Sequence, residues 1–133
     1  MSTLANVMRK ELKTISATVV VKEAAVRMKN ERLGSLLVEK NGALVGIVTE
    51  TDIVRRGAAE GKDLTKLTVE QIMTSPIATI EVTRTLQDAH DMMGDLGVRH
   101  LGVSQGGKVV GLVSVRDLLV YFKRVSEPKI AQD

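Results

Sequence analysis

The chain has 133 residues, of which 44% are hydrophobic, 26% charged and 2% aromatic, a balance typical of a folded globular protein. It has no cysteine and two histidines, which excludes disulfides, thiolate metal sites and a metal centre built from histidines. The net charge is only +3 and no apolar run has membrane-spanning length, so neither a nucleic-acid partner nor a membrane is expected. The first residues also lack the apolar core of a signal peptide, and a cytoplasmic location is expected.

The sequence repeats itself at an offset of 65 residues. Without a gap, 13 of 49 compared positions are identical to the position 65 residues later, Asp52 and Asp117 among them. This pattern predicts a tandem duplication. Repeat 1 covers residues 1–66 with an N-terminal segment and a connector, repeat 2 covers residues 67–125, and residues 126–133 are expected to form a flexible tail.

Each repeat is predicted to fold as a short strand, a helix, a β-hairpin and a second helix. Apolar residues at helical spacing predict the first helices at Val21–Glu31 and Leu86–Leu96. Thr85 precedes the second of these and is placed to form a capping box with Asp88.

A two-residue turn signal follows each of these helices. Asn41-Gly42 is the strongest short hairpin signal, and Gly106-Gly107 can supply the same positive φ angles in repeat 2. The strands predicted beside the two turns are residues 35–39, 44–48, 101–103 and 109–113.

A second helix is predicted after each hairpin, over residues 49–56 and 114–124. Residues 57–66 are polar and contain glycine, so they are predicted to be the connector. Arg55-Arg56 and Lys62 are expected to form a solvated helix end, where positive charge is favourable.

Half of this chain is marginal as an independent domain, because one three-stranded sheet and two helices bury little surface. The two repeats are therefore expected to pack sheet to sheet in an α+β fold with pseudo-twofold symmetry. That arrangement predicts a cleft between the repeats with up to two equivalent sites.

The corner where each hairpin meets the second helix carries the most informative motif. It is GIVTETD at residues 46–52 and GLVSVRD at residues 111–117. In one interpretation, the hydroxyl residue (Thr49 or Ser114) and the aspartate form a capping box that only stabilises the helix. In the other, free N–H groups and the hydroxyl accommodate a phosphate, while the aspartate accepts two ribose hydroxyls. Repetition does not decide between them, since a structural corner is duplicated as readily as a binding site.

With these motifs in this order, residues 7–124 resemble a tandem pair of CBS (cystathionine-β-synthase-type) domains, also called a Bateman module. Each repeat opens with a Val/Ile-Met pair and a Thr-Ile strand, continues with an acidic residue and alanine in a helix, and ends with the corner motif. The pairs concerned are Val7-Met8, Glu23-Ala24, Ile72-Met73 and Asp88-Ala89. The segment VRHLGV at residues 98–103 is also similar to the family, although Gly102 stands where the family often has proline.

The resemblance implies binding of an adenosine-containing ligand, such as AMP, ADP, ATP or S-adenosylmethionine, in the cleft. The corner aspartate would hold ribose hydroxyls, and the base would insert between the first strand and the hairpin of the other repeat. One implied site consists of Thr49 and Asp52 with Ile77, Ala78, Val98 and His100. The other consists of Ser114, Arg116 and Asp117 with Lys13, Leu33, Gly34, Ser35 and Arg99.

The second implied site is expected to bind phosphate groups more strongly. Lys13, Arg99 and Arg116 would supply positive charge there. The first site has Thr51 in the place of Arg116, and Glu50 beside it would repel an anion.

Neither histidine marks a catalytic site. His90 is expected to be a surface or interface residue, and His100 is either a structural strand residue or a phosphate contact. No nucleophile–base pair and no motif for paired carboxylates is found, so no enzymatic activity, obligatory cofactor or metal is expected.

The function expected from the resemblance is that of a regulatory module, which senses an adenine nucleotide and passes its occupancy to an effector protein. Homodimers are also implied, and the apolar run at residues 118–122 is a candidate contact. Packing of the last helix onto its own repeat explains that run equally well. Two alternatives are a ligand-independent structural or interaction module, and a nucleic-acid-associated regulator, which the modest charge disfavours.

Overall fold

The computed structural model describes residues 3–126, which form two compact units. The first unit consists of residues 13–77, and the second of residues 3–12 together with residues 78–126. In chain order the α-helices and strands are α1 (Leu4–Val7), β1 (Thr14–Ser16), α2 (Val21–Glu31), β2 (Ser35–Lys40), β3 (Ala43–Thr49), α3 (Glu50–Asp52), α4 (Val69–Ile72), β4 (Thr79–Glu81), α5 (Leu86–Leu96), β5 (His100–Gln105), β6 (Lys108–Ser114) and α6 (Val115–Ser126).

Each unit contains a three-stranded mixed sheet of the same topology. β2 is central in the first sheet, parallel to β1 and antiparallel to β3, and β5 holds the same place between β4 and β6. The turn residues Asn41 and Gly42 have φ angles of 51° and 79°, and Gly106 and Gly107 have 58° and 80°. These left-handed values are those of a two-residue hairpin turn. The predicted hairpins and the α+β class with two small sheets are confirmed, and each hairpin strand is slightly longer than predicted.

Each unit has its own hydrophobic core between its sheet and its helices. The buried residues of the first core are Ile15, Ala17, Val21, Ala24, Met28, Leu36, Val38, Val48, Val69 and Ile72. Those of the second core are Leu4, Ile80, Leu86, Ala89, Met93, Leu101, Val103, Val113 and Leu118. The apolar spacing along α2 and α5 correctly predicted the bounds of these two helices and most of their buried residues, although Leu96 of α5 is 55% exposed. Full burial of one such aliphatic side chain contributes roughly 1.5–3 kcal/mol.

The compact units differ from the sequence repeats at 1–66 and 67–125. Leu4 of α1 precedes repeat 1's first strand, yet it is fully buried in the core of the second unit. Val69 and Ile72 of α4 precede the first strand of repeat 2, and they are buried in the core of the first unit. Each of these helices packs in the unit that contains the first strand of the other repeat. The offset of 65 residues would be the same in either arrangement, so the repeat in the sequence could not predict it.

Sequence reasoning missed α1 and α4, each of which is a single turn. The N–H of Thr3 donates to Asn6 Oδ1 (3.0 Å), and the N–H of Thr68 donates to Gln71 Oε1 (2.9 Å). A threonine followed three residues later by a side-chain acceptor is the signal that could have predicted both helices.

The second helix of repeat 1 is less regular than predicted. α3 makes one turn only, and a π-helical turn at Ile53–Gly57 and a 3₁₀ turn at Ala58–Glu60 follow it. The helix predicted over residues 49–56 is therefore replaced by three different helical turns in succession. Gly57 is buried, and a Cβ at this position would lie 2.9 Å from Leu64 Cδ2, so close packing favours glycine here.

The predicted connector at residues 57–66 is also more ordered than its polar composition suggested. Leu64 and Leu67 pack against the first core. Their carbonyls accept hydrogen bonds from the N–H groups of Lys22 (2.9 Å) and Val21 (2.7 Å). Because α2 begins without a side-chain cap, these carbonyls take the place of one.

The last helix, α6, extends slightly beyond its predicted end, to Ser126. The flexible tail predicted for residues 126–133 lies outside the described residues, apart from Ser126.

Candidate functional site

Asp52 is held at the corner between β3 and α3 of the first unit. Its Oδ2 accepts hydrogen bonds from the N–H (3.0 Å) and the hydroxyl (3.1 Å) of Thr49, and its own N–H donates to Thr49 Oγ1 (3.2 Å). The side chain of Asp52 is only 10% exposed. This reciprocal bonding is the capping box of the first of the two interpretations of the corner motif.

Ser114 and Asp117 form the same arrangement between β6 and α6 of the second unit. Asp117 Oδ2 accepts from the N–H (2.9 Å) and the hydroxyl (3.0 Å) of Ser114, and the N–H of Asp117 donates to Ser114 Oγ (3.2 Å). In both corners the capping bonds use Oδ2 of the carboxylate. Since an ionised carboxylate can accept about four hydrogen bonds, capping leaves acceptor capacity on Oδ1.

Several N–H groups at these helix starts are already bonded within their own unit. The N–H of Glu50 donates to the carbonyl of Gly34 (3.1 Å), and the N–H of Val115 donates to the carbonyl of Arg99 (2.9 Å). The expectation that free N–H groups await a phosphate is wrong for these groups, because the residue before each central strand places a carbonyl at the helix start. The N–H groups of Glu50 and Val115 are therefore not available to a phosphate.

An arginine stands beside each corner aspartate. Arg56 Nε lies 3.8 Å from Asp52 Oδ1, and Arg9 Nε lies 3.7 Å from Asp117 Oδ1. These separations are ion-pair distances and are too long for hydrogen bonds. Sequence reasoning assigned neither arginine to a site. The helical spacing of four residues between Asp52 and Arg56 could have indicated one of them, whereas only the tertiary structure brings Arg9 to Asp117.

Arg55 and Arg56 are both exposed, as expected for a solvated helix end, but Arg56 also has partners in the protein. Its Nη1 donates to the carbonyls of Ile72 and Met73, both at 3.2 Å. Although its side chain is 51% exposed, Arg56 joins the corner to the segment that follows α4.

Ser35 and Gly34 of the first unit lie near the start of α3 in their own unit. Ser35 is paired with Thr49 across the β2–β3 ladder. Gly34 contacts the start of α3 through its carbonyl. Within the first unit both therefore lie beside Asp52, whereas the resemblance placed them in the site of Asp117.

Lys13 and Leu33, the other members of that site from the first unit, have local contacts. Lys13 Nζ lies 3.6 Å from Glu31 Oε1. A hydrogen bond from Arg27 above all, and also the charge of Lys13, hold the pKa of Glu31 below its usual range. Leu33 packs against the first core, and Ile77 is half-buried at the end of the unit.

In the second unit the structure brings several predicted residues to the Asp117 corner. His100, which the resemblance placed in the site of Asp52, is half-buried and is paired within the second unit with Ser114 across the β5–β6 ladder. Arg99 meets the start of α6 through its carbonyl, and the side chains of Arg99 and Arg116 are exposed. Both cations thus belong to the same unit as Asp117.

Ala78 and Val98 serve the second unit as packing residues, since both lie against its core. The carbonyl of Ala78 also accepts a hydrogen bond from the N–H of Gly102 (2.9 Å). His90 is exposed, as expected, and its ring lies edge-on to Phe122 with centroids 6.4 Å apart.

Residues 3–126 contain neither a metal-binding cluster nor a membrane-spanning helix. Within that range no group of three or more histidine, aspartate and glutamate side chains is placed to hold a metal ion. No helix in the same range is both long and apolar enough to cross a membrane.

Comparison with known families identifies the class of protein. The CBS domain family model matches residues 4–59 and again residues 69–124. The two matches cover most of the chain, so this chain belongs to the CBS domain family and carries two CBS domains in tandem. The resemblance inferred from the repeat and the corner motifs is confirmed. Small tandem CBS pairs of this kind are generally regulatory modules.

Curated relatives support this membership. An uncharacterized protein of Methanopyrus kandleri is 32% identical over 115 residues, which cover 85% of this chain and 59% of that protein. The CBS domain-containing protein YhcV of Bacillus subtilis is 30% identical over 120 residues, which cover 90% of this chain and 85% of YhcV. The chain therefore spans about three fifths of one of these relatives and most of the other.

Solved structures show the same fold. A protein with CBS domains from Burkholderia ambifaria MC40-6 has a TM-score of 0.90 and 27% identity, with 97% of this chain and 99% of that chain covered. A hexameric CBS-CP12 protein from bloom-forming cyanobacteria has a TM-score of 0.84 and 31% identity, with 96% of this chain and 76% of that chain covered.

Proposed function

We propose that this CBS pair binds an adenosine-containing ligand at its aspartate corners and signals the occupancy to an effector protein. The observation that carries the proposal is the geometry of the two carboxylates. In each corner the cap residue holds Oδ2, while Oδ1 faces an arginine at ion-pair distance. A fixed, largely buried carboxylate with unused acceptor capacity is suited to the paired hydroxyls of a ribose.

The Asp117 corner is the better candidate for a ligand with phosphate groups. Arg9, Arg99 and Arg116 belong to the same unit as Asp117. Guanidinium groups bind phosphate oxygens through charge-assisted hydrogen bonds. At the other corner Arg56 lies beside the aspartate, and its positive charge is offset by the exposed Glu50. AMP, ADP, ATP and S-adenosylmethionine are the candidate ligands.

Signalling in this proposal follows from differential affinity. A ligand that binds one conformation of the pair more tightly shifts the population toward it, and an effector protein that distinguishes the conformations responds. The module has no catalytic step in this scheme. The cytoplasmic location expected from the sequence is part of the same proposal.

Titration calorimetry of the purified chain tests the ligand. AMP, ADP, ATP and S-adenosylmethionine are titrated separately, with GTP as the control for base recognition. Saturable heat with an adenosyl ligand and none with GTP is the expected result. The stoichiometry then gives the number of occupied corners.

Variants of the capping aspartates test the position of the site. Asp117→Ala is expected to abolish the tighter site at a capping cost of about 1 kcal/mol. Asp88→Ala is the matched control, because Asp88 forms an equivalent capping box with Thr85 at the start of α5. Equal loss of affinity in both variants would show that general destabilisation, and not the corner, is responsible.

A ligand-independent interaction module is the alternative function. The observation in its favour is that the corner N–H groups of Glu50 and Val115, together with those of Asp52 and Asp117, are satisfied internally. A corner that serves only as a helix cap needs no ligand. Failure of every adenosyl ligand to bind protein shown to be ligand-free would favour this alternative.

Homodimerisation through α6 is also proposed. Leu118 is buried and Tyr121 and Phe122 pack against the core of their own unit, while Leu119 and Val120 are 63% and 47% exposed. Leu119 and Val120 are therefore the residues of the apolar run that are most exposed to a second copy. The hexameric cyanobacterial protein supports self-association for this fold without fixing the number of copies.

A further inference from the structure

Each corner aspartate is joined through an arginine to the chain segment that leads into the other unit. Asp117 lies in the second unit, and its partner Arg9 stands in the segment that continues into β1 of the first unit. Asp52 lies in the first unit, and Arg56 joins it to the segment that continues into β4 of the second unit. Along the chain, each link therefore runs from the aspartate of one unit to the first strand of the other.

In the second unit the segment carrying Arg9 is fastened to the strand that ends at the corner. The N–H of Arg9 donates to the carbonyl of Leu112 (2.8 Å), and the N–H of Leu112 donates to the carbonyl of Arg9 (3.0 Å). A Cβ at Gly111 would overlap the Met8 side chain, so the glycine allows the segment to lie flat on β6. The strand then ends at Ser114, the residue that caps α6. The backbone of Arg9 is thus anchored beside the corner that its side chain contacts.

In the first unit the segment after α4 is bonded to β3 in the same way, but the arginine does not belong to this segment. Thr74 and Ile47 exchange both backbone hydrogen bonds (2.8 and 2.9 Å), and Met73 lies over a glycine of β3. Thr74 carries no charge that could reach the carboxylate. Arg56 provides it instead, and donates to the carbonyls of Ile72 and Met73.

The two arginines are not copies of one ancestral residue. The position equivalent to Arg9 in the other repeat is Thr74, and the position equivalent to Arg56 is Tyr121. A contact inherited with the duplication would use equivalent positions. The two arginines instead come from different positions of the repeat. Their presence at both corners indicates that an arginine between the corner aspartate and the neighbouring segment has a role of its own.

We propose that these links carry the occupancy of one aspartate corner to the first strand of the other unit. The inference rests on the proposed function for its ligand. Ribose hydroxyls at Asp117 Oδ1 compete with Arg9 for the carboxylate, and a phosphate attracts the guanidinium away from it. Because Arg9 is also bonded to β6 through its backbone, a new position of its side chain alters the hold of the segment on that strand. The change then reaches β1 through residues 10–13.

Hydrogen exchange of the ligand-free full chain tests this route, from Asp117 through Arg9 to β1, without a nucleotide. Asp117→Asn removes the charge beside Arg9 and keeps an oxygen for the cap. We expect amide exchange in β1 to rise about two- to fivefold, the range of a weak ion pair. No further rise is expected when Arg9→Gln is added, since both variants break one interaction. The route is overturned if Asp117→Asn leaves exchange in β1 unchanged. It is also overturned if Asp117→Asn raises this exchange by the same factor in the wild-type chain and in Arg9→Gln.

Arg9→Gln by itself leaves the cap formed by Ser114 and Asp117 intact, so it can replace Asp117→Asn if that variant folds poorly. Arg9→Gln is also expected to speed exchange in β1. The matched control pair is Arg84 and Asp88, in which Nε lies 3.1 Å from the Oδ2 of another capping aspartate. Arg84 is outside the segment before β1, so Arg84→Gln and Asp88→Asn are expected to leave exchange in β1 unchanged. An equal effect of the control variants would mean general destabilisation and would overturn the route.

ATP is the probe for the ligand-bound state. We expect ATP to change exchange in β1 of the wild-type chain and to lose this effect in Arg9→Gln. If ATP binds and β1 responds equally in both proteins, the route is overturned while the proposed function stands. If no adenosyl ligand binds and the ligand-free effects are present, the proposed function fails while the route stands. The link from Asp52 through Arg56 to β4 is tested in the same way by Asp52→Asn and Arg56→Gln, with exchange measured in β4.

Discussion

Arg32 and Gly97 occupy equivalent positions, 65 residues apart, and both end a helix in the left-handed backbone conformation. Their φ angles are 56° and 67°, and their N–H groups donate to the carbonyls of Met28 and Met93. Glycine adopts this conformation without the steric penalty that a Cβ brings, which is roughly 1–2 kcal/mol. Repeat 2 thus has the residue that favours this helix end, whereas repeat 1 holds an arginine there.

Arg32→Gly is expected to stabilise the protein by about 0.5–1 kcal/mol. The relief of the left-handed strain exceeds the extra conformational entropy that glycine adds to the unfolded chain. Urea denaturation measures the change as a higher midpoint with an unchanged slope. Gly97→Ala is the reciprocal control and is expected to lower the midpoint. A lower midpoint for Arg32→Gly would contradict the strain argument.

Gly46→Ala and Gly94→Ala are expected to have opposite effects on stability. A Cβ at Gly46 would lie 2.7 Å from the carbonyl oxygen of Thr74 and 2.8 Å from Met73 Sδ, so alanine must push the docked segment off β3. The expected loss is about 1–3 kcal/mol. Gly94 lies within α5 with nothing within 4 Å of the added Cβ, and alanine there should stabilise by about 0.5–1 kcal/mol.

Thermal or urea unfolding of both glycine variants, followed by circular dichroism, measures these changes. Gly94→Ala serves as the control for the substitution itself, since it adds the same methyl group in open space. A neutral result for Gly46→Ala would show that the segment does not need its close approach to β3.

The elements predicted correctly are those specified by neighbouring residues. The bounds of α2 follow from apolar spacing within one helix, and the turn at Asn41-Gly42 follows from two adjacent residues. The capping box of Thr85 with Asp88 was also predicted, and those at Asp52 and Asp117 were one of two interpretations, because a spacing of three residues is local.

The features that sequence reasoning missed depend on residues far apart in the chain. Arg9 reaches Asp117 only because α1 packs in the core of the second unit. Residues 57–66 were predicted as a polar connector, and this composition did not indicate that Leu64, and Leu67 just after the segment, pack against the first core. Burial by a distant partner leaves no periodic signal in a short segment, and local patterns cannot report it.

Thr85→Val is expected to raise the pKa of Asp88 toward its usual range. Hydrogen bonds from the backbone N–H of Thr85, and then from its side chain, hold that pKa below the ordinary value. A lowered pKa in the folded state means that ionised Asp88 favours folding above the ordinary pKa, and that this contribution is lost as the pH falls through the folded value. Valine removes the hydroxyl and keeps the N–H, so the increase should be partial.

Carbon-13 NMR titration of the side-chain carboxyls measures this pKa. Asp63 provides an internal control, because the side chain and the backbone of Thr65 lower its pKa in the same way. The titration of Asp63 should not change in Thr85→Val. An unchanged pKa for Asp88 would show that the hydroxyl contributes nothing to its ionisation.

Leu119→Asp is expected to convert a homodimer of this chain to the monomer. Leu119 is 63% exposed on α6, and a charge in a dry contact between two copies is costly to bury. Val54→Asp is the matched control, because Val54 is similarly exposed at 59% but belongs to the first unit and to a different helical segment. Light scattering after gel filtration at micromolar concentration should give twice the 14.4 kDa chain mass for the wild type and Val54→Asp. A wild-type mass of one chain contradicts the dimer, and a Leu119→Asp protein that remains dimeric places the contact on another face.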